Sequence, residues 1–68
     1  MYKLVITTGT GPSKKVVTKQ FWMTQMGFHE ADDMFQELQH KQDVMKLELW
    51  RQDLHGIYVL KRWRRENE

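Results

Sequence analysis

The side chains that could bind a metal ion are few and poorly grouped in this 68-residue chain. The segment HEADD places His29 and Asp33 four residues apart, which would put both on one face of a helix. Zinc would need a third or fourth ligand from elsewhere in tetrahedral geometry, and no second motif offers one. We therefore interpret the acids as favouring a helix N-terminus, and we expect no metal site.

Catalytic groups have even less support. The chain has no cysteine, and its one serine, Ser13, lies in a predicted turn. The stretch GTGPSKK is only faintly similar to a phosphate-binding loop, because that loop needs Gly-Lys-Ser/Thr at the start of a helix. No spacing of serine, histidine and aspartate identifies a nucleophile. The sequence predicts a protein that is not an enzyme and holds no cofactor.

The first elements that would position a site form a predicted hairpin over residues 2–22. YKLVITT and KKVVTKQFW are rich in β-branched residues, and GTGPS between them is a dense turn signal. A helix is predicted over residues 28–41, since Phe28, Ala31, Phe35 and Leu38 recur at helical spacing. Gly27 marks its expected boundary. Acids in the first turns, with His40 and Lys41 in the last, would suit the helix dipole.

A second hairpin is predicted over residues 44–65. VMKLELWRQ alternates strictly, DLHG is a turn, and IYVLKRWRR returns. A three-residue loop, with Gly56 at a positive φ, would pair Glu48 with Arg62. It would also place Val59 and Trp63 on the face of Leu47. A four-residue loop is the alternative, and it would change these partners.

These elements predict a single α+β domain over residues 1–68 with ββαββ order. We expect a four-stranded, mostly antiparallel sheet with one helix packed on one face. The other face has no second layer within the chain, so it is either wet or covered by a partner. A homodimer through that face or through an edge strand is possible.

The candidate binding surface is one face of the second hairpin. Its expected residues are Lys46, Trp50, Tyr58, Leu60, Arg62 and Arg64. Three interpretations stay open: packing under the helix with cations reaching solvent at the edge, a protein interface, or nucleic-acid binding with the help of Arg65. The net charge of +2, with −4 over residues 23–43, argues against strong phosphate binding.

The layout of the chain resembles the small α+β proteins encoded by bacteriophages and prophages. The resemblance rests on MYKLVITT, on the GFHEADDMFQEL helix between two hairpins, and on KLELWRQD with its GIYVLKRW return. It implies a protein that binds a host protein, including as an inhibitor of host or defence machinery. No apolar stretch approaches the roughly 18–20 residues of a spanning helix, and no signal peptide precedes the first strand. We expect a cytoplasmic protein without membrane contact.

Overall fold

Four strands and one α-helix follow one another in the order ββαββ in a computed structural model that describes residues 1–65. The elements are β1 (Tyr2–Thr8), β2 (Lys15–Phe21), α1 (Gln25–Leu38), β3 (Val44–Asp53) and β4 (Gly56–Arg64). The strands form one open sheet in the order β2-β1-β3-β4, and all neighbours run antiparallel. The predicted α+β fold is therefore confirmed.

The first hairpin pairs β1 with β2 along the full length of both strands. Its register runs from Tyr2 opposite Phe21 to Thr8 opposite Lys15 without interruption. Gly9 and Gly11 reverse the chain direction between the strands, with φ angles of 73° and 57°. These angles lie in the left-handed region that favours glycine, which is why GTGPS forms the turn.

The helix begins and ends three residues earlier than predicted. Thr24 caps its N-terminus, because its hydroxyl oxygen accepts a 2.9 Å hydrogen bond from the backbone N–H of Gly27. Gly27 is thus inside the first turn, where a Cβ atom would lie 2.0 Å from the carbonyl oxygen of Trp22. Its role is close packing and not a boundary. His40 and Lys41 fall after the helix, and no acid occupies its first turn, so the predicted match to the dipole is wrong.

The core lies between α1 and the central strands β1 and β3. Its buried residues are Leu4, Ile6, Ala31, Phe35, Val44, Leu47 and Leu49. The predicted helical stripe is confirmed: Ala31 and Phe35 are buried, and Phe28, Met34 and Leu38 pack around them. The large aliphatic side chains of the core that come from the sheet therefore lie on the face that α1 covers.

The second hairpin has a shorter turn than predicted. Asp53 pairs with Gly56, so the loop contains two residues and not three. The third residue is accommodated further along β4, where a β-bulge lies between Val59, the partner of Trp50, and Lys61, the partner of Leu49. The predicted positive φ of Gly56 is confirmed at 140°. Beyond the bulge the predicted register is also right, with Glu48 opposite Arg62. Between the bulge and the turn, the predicted register is wrong by one residue, because Trp50 pairs with Val59.

Candidate functional site

The face of the sheet that α1 leaves uncovered, here called the open face, is built by alternate residues of all four strands. Cross-strand pairing arranges these residues in rows that run from β2 through β1 and β3 to β4. The rows are Val16–Thr7–Lys46–Arg64, Thr18–Val5–Glu48–Arg62 and Gln20–Lys3–Trp50–Val59. Each row joins positions that lie far apart in the sequence.

Burial separates the two faces of the sheet. Leu47 and Leu49 on the helix side are 0% exposed. Glu48 and Trp50, which alternate with them along β3, are half-buried, and Lys46 is exposed. The interpretation in which the basic aromatic face packs under the helix is therefore wrong, because the helix covers the leucines.

Four of the six predicted binding residues lie together on the open face: Lys46, Trp50, Arg62 and Arg64. Tyr58 does not, because it pairs with Arg51, which shares the alternation of Leu47 and Leu49. Leu60 is the residue of β4 that the bulge leaves without a cross-strand partner. Val59 moves the other way, onto the open face opposite Trp50. The two-residue turn and the bulge cause all three errors.

Glu48 organises the centre of the open face. One of its carboxylate oxygens accepts a 3.0 Å hydrogen bond from the indole N–H of Trp50. The other lies 3.5 Å from the ammonium nitrogen of Lys46 and 3.7 Å from Nε of Arg62. Because its side chain is only 15% exposed, this carboxylate holds the ring and both cations with little freedom of its own.

The open face is basic, although the whole chain is nearly balanced. Its charged residues are the cations Lys3, Lys46, Arg62 and Arg64 and the single acid Glu48. The acids Glu30, Asp33 and Glu37 belong instead to α1, on the other side of the sheet, and are exposed. The open face is therefore mainly basic and the exposed side of the helix is acidic, which gives the molecule two electrostatically different surfaces. Lys3 was not anticipated from the sequence, because the pairing of β1 with β3 brings it beside Trp50.

Two other cations of β4 and its extension hold the helix in place. Lys61 forms an ion pair with Asp32 of α1, and its ammonium group lies 5.8 Å from the centre of the Phe35 ring. Arg65 donates hydrogen bonds to the carbonyl oxygens of Gln39, Lys41 and Val44, and it stacks 5.0 Å from the Trp63 ring. Arg65 therefore closes the end of the helix, and its guanidinium group is not free for a phosphate.

Exposed apolar side chains lie on the second hairpin and at the start of α1, as well as on β2. Leu54, Ile57 and Leu60 are exposed on the second hairpin, and Trp22 and Met26 are 76% and 71% exposed before and within the start of α1. The sequence gives one signal for the first group, an apolar residue at the tip of a turn. Met26 lies outside the helix predicted over residues 28–41 and is on an exposed side of α1, which begins at Gln25.

Within residues 1–65, no group of three or more histidine, cysteine, aspartate or glutamate side chains could hold a metal ion. His29 instead packs the edge of its ring against Phe28, with centroids 6.2 Å apart. In the same part of the chain, no helix is long and apolar enough to cross a membrane.

Comparison with protein-family models, with curated proteins and with solved structures finds no match to this chain. The geometry of the open face is therefore the basis on which a function can be assigned.

Proposed function

We propose that this protein is a non-catalytic binding module whose open face docks on an acidic surface of a partner protein. The observation that carries the proposal is the position of Trp50. Its ring lies on the uncovered sheet face, hydrogen-bonded to Glu48 and opposite Lys3, and two further cations pair with the same carboxylate. Tryptophan and arginine are the residues that most often dominate the binding energy of protein interfaces.

Pre-organisation strengthens this interpretation. Ordering a flexible side chain on binding costs about 0.5–1.5 kcal/mol. The hydrogen bond from Trp50 to Glu48 and the ion pairs of Lys46 and Arg62 with the same carboxylate restrict three side chains before any partner arrives. The sheet beneath them is a rigid platform because its other face is packed against α1.

The charge of the open face supports an acidic partner. Four cations against one carboxylate attract an acidic surface and repel a basic one. The acidic helix on the opposite side would orient the encounter, because it would be repelled by the same partner. If the chain is of the phage type that its layout resembles, the partner is a host protein.

Nucleic-acid binding is the second candidate, favoured by the excess of cations around a half-buried aromatic ring. The low net charge of +2 opposes it, because strong phosphate binding depends on many cations. The absence of Tyr58 and Arg65 from the open face opposes it as well. A titration with labelled single-stranded and duplex oligonucleotides at two salt concentrations decides. Micromolar binding that weakens steeply with salt would favour nucleic acid over protein.

The test of the protein-binding proposal compares variants on the two sides of the sheet. Arg62→Glu combined with Arg64→Glu reverses two exposed charges of the open face, and Trp50→Ala removes the ring. The matched control is Glu30→Lys combined with Glu37→Lys, which reverses two exposed charges of the helix.

We expect the open-face variants to lose a protein captured from lysate by the wild type, while the helix variant keeps it. Thermal unfolding followed by circular dichroism checks that each variant is folded. Capture that survives both open-face changes, or that is lost equally in the helix control, contradicts the proposal.

A further inference from the structure

The free edge of β2 is regular and available for pairing. In the structure of residues 1–65, β2 pairs with β1 on one side and with no strand on the other. Residues 15–20 are all exposed, and Val16 and Val17 expose 59% and 48% of their surfaces on opposite faces of the strand. An edge of this kind presents unpaired backbone N–H and C=O groups to any strand that can reach it.

The opposite edge of the sheet is protected. The bulge at Leu60 interrupts β4, and Lys61, Arg62 and Arg64 line the rest of that strand. Bulges and charged side chains are the devices by which proteins prevent edge-to-edge pairing. β2 has a regular register along its whole length and carries two lysines, Lys15 and Lys19. The two edges are therefore not equivalent.

We propose that β2 pairs with β2 of a second copy of this chain, antiparallel and centred on Thr18. A two-fold axis through Thr18 places Lys15 opposite Phe21, Val16 opposite Gln20, Val17 opposite Lys19, and Thr18 opposite itself. All seven residues of the strand are paired, and no lysine faces another. Thr–Thr pairs of this kind stabilise antiparallel strands.

The positions of the lysines select this register over its neighbours. In a two-fold antiparallel pair, one residue lies on the symmetry axis and faces its own copy. Each alternative register therefore corresponds to a different central residue. In the register centred on Val17, Lys15 lies directly opposite Lys19. In the register centred on Lys19, Lys19 faces Lys19 of the second copy. Like charges directly opposite destabilise a strand pair. In the Thr18 register, the aliphatic stem of Lys19 instead covers exposed Val17.

The resulting dimer has one continuous sheet of eight strands. Because the axis is perpendicular to the sheet, both helices lie on one side and the two open faces join on the other. The interface is isologous and smaller than that of an obligate dimer, so we expect a dissociation constant in the micromolar range. This inference goes beyond the proposed function and does not depend on it.

The test uses the purified protein and exploits the self-facing position of Thr18. Thr18→Lys and Thr18→Glu each place two like charges opposite one another at the centre of the interface, while a mixture of the two variants places opposite charges there. The matched control is Thr10→Lys, the same change at an exposed turn position outside β2.

Sedimentation velocity at several concentrations measures the result. We expect the wild type and Thr10→Lys to dimerise, each Thr18 variant alone to associate several-fold more weakly, and the equimolar mixture to recover dimers. A wild type that is monomeric at millimolar concentration overturns the proposal. So does a Thr18→Lys variant that dimerises as well as the wild type.

A second measurement fixes the register without relying on charge. The chain contains no cysteine, so Thr18→Cys introduces one thiol that would face its own copy at disulfide distance. Val16→Cys would face Gln20 instead. Mild oxidation should cross-link the first variant much faster than the second. Equal rates would exclude the Thr18-centred register, and neither result bears on partner capture by the open face.

Discussion

The helix-side face and the open face of the sheet use the same four strands and differ in what covers them. On the helix side, Leu4, Leu47 and Leu49 are fully buried beneath α1. On the open face, alternate positions of the same strands carry Glu48, Trp50 and a set of cations. One face therefore supplies the stability of a small domain, which leaves the other available for binding. The comparison predicts that substitutions on the two faces affect different properties.

The largest difference in stability should come from truncation of one aliphatic residue on each face. Leu47→Ala opens a cavity in the core, and such changes cost about 2–5 kcal/mol. Val5→Ala on the open face leaves no enclosed cavity, because Val5 is only half-buried, and we expect a cost of less than about 1.5 kcal/mol. Urea denaturation measures both. Equal costs would show that the open face is packed as tightly as the helix side.

A second prediction concerns how the helix reaches its face of the sheet. Alanine normally stabilises a helix relative to glycine by about 1 kcal/mol. Gly27→Ala should instead destabilise the fold by about 1–3 kcal/mol, since the new methyl group would collide with the carbonyl oxygen of Trp22. Met26→Ala, at the exposed neighbouring position, is the control and should have little effect on the unfolding midpoint. Stabilisation by Gly27→Ala would mean that the chain before α1 moves aside freely.

The smallest expected change in stability sharpens the role of the open face. Glu48→Ala breaks partly exposed ion pairs that are each worth about 0–1 kcal/mol, so the unfolding midpoint should shift little. The indole N–H of Trp50 should nevertheless lose its acceptor. Its proton resonance, assigned with Trp50→Phe, should therefore move upfield, while Glu37→Ala should leave it unchanged. An unmoved indole resonance would contradict the organising role of Glu48.

The sequence predicts the architecture because its periodicities are set by packing. Strict alternation in β3 and the helical spacing of Ala31 and Phe35 each identify the residues that must meet in the core. The predicted start of the helix was wrong because Thr24 supplies an N-terminal cap, which the spacing of apolar residues does not reveal. A glycine that looks like a boundary was in fact required by close packing against Trp22.

The candidate site was predicted in part, and its errors have one origin. The alternation of β3 predicts the face of Lys46 and Trp50 directly. The predicted register is right beyond the bulge, where Arg62 and Arg64 lie. Tyr58 and Leu60 lie at or before the bulge, and the exchange of a longer loop for a bulge is invisible in the pattern of side chains. Lys3 and the central position of Glu48 depend on the pairing of β1 with β3, which local sequence does not specify.

The pairing of β1 with β3 also has a consequence for how the chain folds. The backbone of Met1 bonds to that of Gln52, 51 residues later, whereas each hairpin closes over a short turn. Pairing between distant segments slows folding, because the entropy of closing a long loop is lost before the contacts form. We therefore expect the two hairpins to form early and separately, and the joining of β1 to β3 to limit the folding rate. Before that step, Leu4 and Leu47 would lack the cover that they have in the folded domain, so we expect the half-assembled chain to be the species most prone to aggregation.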